Sequence, residues 1–189
     1  MKRLHQGVLI VSVLLGSWLG MQAVHESGHV LGAYLTGGRV ATVVLHPLTI
    51  SRTDLCSNPR PALVARAGPV FGVLLPLSLY GATVCLHLPG AFVLRFFAGF
   101  CLVANGAYIA GGSFDRIGDC GEMLRHGSAP WHLWLFGAAT EPAGFWLWHR
   151  QGPYFGLGNA GGQVSVSVAY SSLFACLLLL TVAFLVGEG

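Results

Sequence analysis

Residues 4–38 read LHQGVLIVSVLLGSWLGMQAVHESGHVLGAYLTGG. From Leu4 to His25 this stretch holds no Asp, Glu, Lys or Arg, and a helix crosses a bilayer with about 20 mostly apolar residues. The helical pattern continues to Leu35, where Thr36-Gly37-Gly38 stops it. At about 1.5 Å per residue such a helix is longer than an apolar core of about 30 Å. It therefore tilts, or its last two turns project beyond the hydrocarbon. Met1-Lys2-Arg3 before an apolar run also suits a signal peptide, but no short cleavage region follows. The segment runs on into polar residues instead, so it reads as a retained helix.

The rest of the chain agrees with a membrane setting. Of 189 residues, 54% are hydrophobic and only 9% charged, with a mean hydropathy of +0.67. A soluble domain carries about 25% charged residues, so an ordinary soluble enzyme is excluded, as is a disordered chain. The 27 glycines are about twice the usual share, and glycine lets membrane helices approach closely. A net charge of +3, scattered and without a basic run, gives nucleic acid nothing to bind. The five cysteines form no CxxC pair, which argues against a disulfide framework or a cysteine zinc site.

Further uncharged runs cover residues 67–94, 96–114 and 151–187, the last strongly apolar from Val164 to Val186. These and the first segment make four spans. A fifth candidate, Pro130 to Trp148, holds Glu141-Pro142 near its middle and Trp131, Trp134, Trp146 and Trp148 toward its ends. The tryptophans suit an interfacial belt. Glu141-Pro142 suggests a kink, a re-entrant segment or a helix packed inside protein. Arg39 to Pro61 reads as a β-hairpin or surface loop, with Arg39–Leu45 as one strand and Leu48–Thr53 as the return. The second span is expected over Pro59–Leu86, the third over Ala91–Gly112, and a short amphipathic helix over Cys120–His126. No repeat or linker divides the chain. The expected fold is an α-helical polytopic membrane protein of four to five transmembrane helices, in one domain, residues 1–189.

If the first segment crosses once, its far side carries Arg39, Arg52, Arg60, Arg66, Arg116 and Arg125. The near side carries Lys2, Arg3 and Arg150, with Arg95 just inside the third span. The positive-inside rule then puts the two central loops in the cytoplasm.

His25-Glu26-Ser27-Gly28-His29 is an HExxH sequence. Residues four apart share a helix face, so His25 and His29 can aim imidazole nitrogens at one zinc ion. Glu26 lies about 100° around the axis and can reach a water on that ion. It can take the water's proton and deliver it to a leaving amine, which is peptide hydrolysis. A Glu and two His inside an apolar helix are costly, and polar residues at that depth are functional candidates. Gly28 and Gly32 lie on the same face and admit either another helix or a substrate strand. A catalytic zinc takes three protein ligands and keeps one open position. His5, His87 and His149 lie toward the opposite side of the membrane, while His46, His126 and His132 suit loops or the interface. Asp115 and Asp119 follow the third span on the side of the HExxH sequence, and chemistry alone leaves both open. Asp119 also suits a helix N-cap.

His25-Glu-Ser-Gly-His-Val-Leu-Gly-Ala-Tyr-Leu-Thr-Gly-Gly resembles the first motif of the site-2 proteases, the intramembrane zinc metalloproteases. Ala67-Gly68-Pro69 matches their AGP element, and Asn105 followed by Asp119 resembles their last element, an Asn before a zinc-binding Asp. The likeness covers roughly residues 20–125. The chain departs from the usual pattern in having no Asp-Gly pair and no proline between Asn105 and Asp119. Gly118-Asp119 before an amphipathic turn is more similar to small, divergent members, which favours Asp119 over Asp115.

The resemblance implies a three-helix metalloprotease core at about 7–127, with accessory C-terminal helices at about 130–187. It implies one Zn2+ per chain on His25, His29 and Asp119 (Asp115 as the alternative), with Glu26 as general base. Asn105 would hydrogen-bond substrate backbone or stabilise the oxyanion. The substrate would be a transmembrane segment of another membrane protein, extended against the Arg39–Pro61 hairpin. The expected location is the plasma (inner) membrane, with the site toward the cytoplasm; the oligomeric state is left open. A different class of function is a non-catalytic metal- or helix-binding membrane protein, against which an intact Glu26 speaks. A transporter is disfavoured by the lack of inverted repeats.

Overall fold

The computed structural model describes residues 1–48 and 50–187. Helix α1 runs from Lys2 to Leu35. It ends where Gly37 takes a φ of +77° and the Gly38 N–H bonds back to the Ala33 carbonyl at 2.8 Å, a closure that needs a left-handed residue. Strands β1 (Arg39–Val44) and β2 (Arg52–Ser57) form an antiparallel hairpin. Helices α2 (Pro61–Cys85) and α3 (Ala91–Asp115) follow, then the short α4 (Gly118–Arg125), α5 (Pro130–Trp148), two 3-10 turns and α6 (Val166–Gly187).

Four of these helices, α1, α2, α3 and α6, are long and apolar enough to cross a membrane. Large side chains such as Leu74, Leu135 and Phe174 point outward. In water they would form an aggregating surface; in lipid they meet a solvent as apolar as themselves. The fifth candidate forms a helix that continues through Pro142 and packs along α3. It is one continuous helix, with one face against α3 and Trp131, Leu135 and Trp146 on the exposed face.

Helix α1 lies between α2 and α6, α2 packs on α3, and α4 rests on α2 and α3. Glycine supplies the close crossings. A β-carbon on Gly28 would come within 2.8 Å of Gly68 Cα, and one on Gly32 within 2.6 Å of Ala67 Cβ. That face of α1 is therefore taken by α2. Gly144 of α5 likewise lies against the Gly99 carbonyl of α3. At the hairpin end of the bundle, buried Ala65, Ile109, Cys120, Met123 and Leu133 form the cluster that seats α4.

The returning strand begins four residues later than the sequence suggested, at Arg52 instead of Leu48. Pro47 lies in the turn, where it cannot interrupt a ladder. Thr53 pairs with Val43, and Leu55 with Val40. Thr53 and Leu55 turn inward while Arg52, Asp54 and Cys56 stay exposed.

Candidate metal centre

Within α1, His25 and His29 stand one turn apart, with Nε2 atoms 3.0 Å from each other. Asp119 reaches the pair from the first turn of α4, its Oδ2 2.9 Å from His25 Nε2 and 3.2 Å from His29 Nε2. The three ligand atoms lie within 4.8 Å of one another, and no other His, Cys, Asp or Glu among the described residues belongs to the group. Asp115 ends α3, exposed and apart from it. The chain turns between the two carboxylates: Arg116 at φ 56° and Gly118 at φ 54° reverse its direction, and α4 folds back over the site. Asp119 is not the N-cap, since Ile117 holds that position.

Each imidazole is fixed from behind. His25 Nδ1–H donates to Asn105 Oδ1 at 2.7 Å, and His29 Nδ1–H donates to the Val64 carbonyl at 2.8 Å. Both bonds leave the Nε2 lone pairs facing the common centre, the arrangement that orients histidine ligands in metal sites. The Asn105 amide is itself held, because Nδ2 donates to the Cys101 carbonyl at 2.9 Å. Asn105 is fully buried. Its Oδ1 meets the His25 imidazole, so in this structure it positions a candidate ligand.

The donor set fits a zinc ion. It supplies two neutral imidazole nitrogens and one carboxylate oxygen, the three-ligand number of catalytic zinc sites. Burial pushes the Asp119 carboxyl upward, but protonated His25 and His29 imidazoles outweigh it and hold the group well below the usual carboxylate range; a zinc ion in place of those protons would act in the same direction. Asp119 is thus ionised, as a ligand must be. Helix α2 leaves room at the centre because residue 68 is glycine: a β-carbon there would come within 2.9 Å of His25 Nε2 and closer still to His29. One turn on, Gly72 makes the same allowance for the Asn105 amide. Cys120, next to Asp119, is no ligand. Burial pushes its thiol up to about 11, and it packs as a small hydrophobe.

Glu26 is 3% exposed. One carboxylate oxygen, Oε2, accepts a hydrogen bond from Thr53 Oγ1 of β2 at 2.7 Å. The residues converge on a cavity of about 680 Å³ whose apolar wall includes Trp18, Met21, Ile50, Leu55 and Ala104. Gln22 and Asn58 also border it, with Gln22 Nε2 and Asn58 Oδ1 buried and unpartnered.

Sequence reasoning missed Thr53 and Tyr108. The Tyr108 phenol oxygen accepts from the Asp119 backbone N–H at 3.2 Å, and the ring meets His25 edge-on at 5.8 Å. A signal for Tyr108 existed, since it lies three residues after Asn105 and so on the same helix face. Thr53 had none, because its contact depends on a strand register that the sequence misdated. No protein-family model matches the chain, and neither a curated protein nor a solved structure matches it.

Proposed function

We propose that this chain is an intramembrane zinc metalloendopeptidase, a small and divergent relative of the site-2 proteases. The observation that carries this reading is the convergence of His25 Nε2, His29 Nε2 and Asp119 Oδ2 beside Glu26 at the wall of an apolar cavity. Zinc held by those three residues would polarise the scissile carbonyl and acidify the attacking water. Glu26 accepts the water's proton and passes it to the leaving amine. Burial of the base strengthens each of these interactions by excluding bulk water. Asn105 and the Val64 carbonyl hold the imidazoles while this happens.

The substrate class follows from the cavity wall: a segment with apolar side chains, from a membrane protein and unwound to expose its amides. The hairpin offers such a segment a partner. Strand β1 occupies one edge of β2, and β2 residues border the cavity, so strand addition along β2 would hold the substrate extended beside Glu26. The arginine distribution favours the cytoplasmic face for this end of the molecule.

The test is zinc analysis of purified wild type, Glu26→Gln, Asp119→Ala and Asp115→Ala, alongside cleavage of an apolar quenched peptide in micelles. About one zinc per chain is expected in all but Asp119→Ala, with cleavage lost in both Glu26→Gln and Asp119→Ala. Absence of zinc from the wild type defeats the reading. Zinc without cleavage by the wild type would instead favour a non-catalytic metal-binding protein.

A further inference from the structure

We infer that Thr53 is a positioning residue that ties the hairpin to the general base, an inference that rests on the protease reading for its catalytic part. The Thr53 hydroxyl is the one side-chain donor found on the Glu26 carboxylate among the described residues, at 2.7 Å. A carboxylate free to rotate spends its time in many orientations; one whose Oε2 is held presents Oε1 in a fixed direction. The donor comes from β2, not from the α1 scaffold that carries Glu26. Its position is set by pairing with Val43 of β1, and β1 packs against α1 and α6. Thr53 and Leu55 are the inward-facing residues of β2, and both border the cavity. The strand that would receive a substrate segment is therefore the strand that aims the base. A hairpin lifted away would leave Glu26 without its partner and the cavity without a wall, so docking of the hairpin and readiness of the base are one event.

The contact can be measured whether or not the chain cuts peptides. Amide hydrogen exchange of residues 52–57 is followed in the full-length wild type, Thr53→Val, Glu26→Ala and the double variant. A hydrogen bond to a charged group holds the hairpin, so each single variant is expected to speed exchange about tenfold, and the double no more than either. Thr53→Val exchange equal to wild type, or effects that simply multiply in the double, overturns the inference. Turnover of the quenched peptide tests the positioning role. Thr53→Val should lower kcat about tenfold with KM and zinc content unchanged, and Thr53→Ser should restore it. A kcat that is unchanged or raised in Thr53→Val overturns it as well. A wild type that binds zinc but hydrolyses nothing sinks the protease reading and the aiming of a base with it, while the exchange cycle still decides whether Thr53 holds Glu26.

Discussion

A β-carbon on Gly68 would come within 2.9 Å of His25 Nε2 and press on the His29 ring as well. Retreat of helix α2 to relieve this would open its close packing on Gly28 and Gly32 of α1. In an open stretch of helix, replacing Gly with Ala would stabilise by up to about 1 kcal/mol; here crowding of both ligands has the opposite sign. Gly68→Ala is expected to lose most of its zinc, whereas Gly81→Ala, with open space at its β-carbon, should keep it. Metal analysis of the two variants separates the close approach from helix propensity. Asn105 is argued on the same scale. Asn105→Leu frees His25 Nδ1 and should weaken zinc about 10- to 100-fold, while Asn105→Asp keeps an acceptor and should bind more tightly than Asn105→Leu; competition with a chelating dye reads both. The resemblance named Asn105 for substrate backbone or the oxyanion, and its bond to His25 is a further contact that the sequence did not suggest. Its spacing from Asp119 told nothing of its distance from His25, which follows from how α3 crosses α1.

Helix α4 is short, yet it carries Asp119, the third member of the candidate metal group, and its placement depends on the turn before it. Gly118 has a φ of 54°, a conformation that costs an L-residue about 1–2 kcal/mol, and the Tyr108 phenol occupies the space its side chain would need. Both effects push Asp119 away from the histidines. Gly118→Ala should therefore weaken zinc about tenfold from the backbone term alone, and adding Tyr108→Ala should recover the part due to the clash. No recovery would mean that the backbone term dominates. The elements divide by how much of them was legible. Long helices announce themselves through uncharged apolar runs, and the bounds of α1, α2 and α3 fell within three residues of expectation. Strand β2 was harder, because Asp54 is a poor strand former and the more β-like Leu48–Thr53 drew the assignment forward. Pairing with β1 overrides that local preference. Chemistry alone left Asp115 and Asp119 both open and the resemblance favoured Asp119; what places Asp119 beside the histidines is the turn with Arg116 and Gly118 in left-handed conformations.

The path of the whole chain bears on how many times it crosses the membrane. Helix α5 falls outside the group of long apolar helices, but its ends lie at opposite ends of α3. Trp134 Nε1 donates to Ser113 Oγ near the end of α3, and Trp148 Nε1 donates to the Phe96 carbonyl near its start. Nineteen residues of helix extend about 28 Å, close to the apolar thickness. Helix α6 requires this traverse. Its first half meets the start of α1, where Tyr170 contacts His5, and its end meets the hairpin, where Phe184 contacts His46. A chain that reached the metal end with α4 has to return to the other end before α6 can begin there, and α5 is the segment that makes the return. Glu141 would then sit at membrane depth; it lies beside Gly106 and Gly137 of the α3–α5 contact, packed against protein as a polar group in a span must be. If α5 is a fifth crossing, the end of α6 is expected on the side of the hairpin, opposite the start of α1. Two exposed native cysteines mark the sides, Cys56 in the hairpin and Cys85 at the far end of α2. In sealed vesicles of one orientation, a membrane-impermeant maleimide should label a cysteine appended after Gly189 together with Cys56 and not with Cys85. Labelling together with Cys85 would mean that α5 lies along the membrane face and that the end of α6 sits away from the metal site.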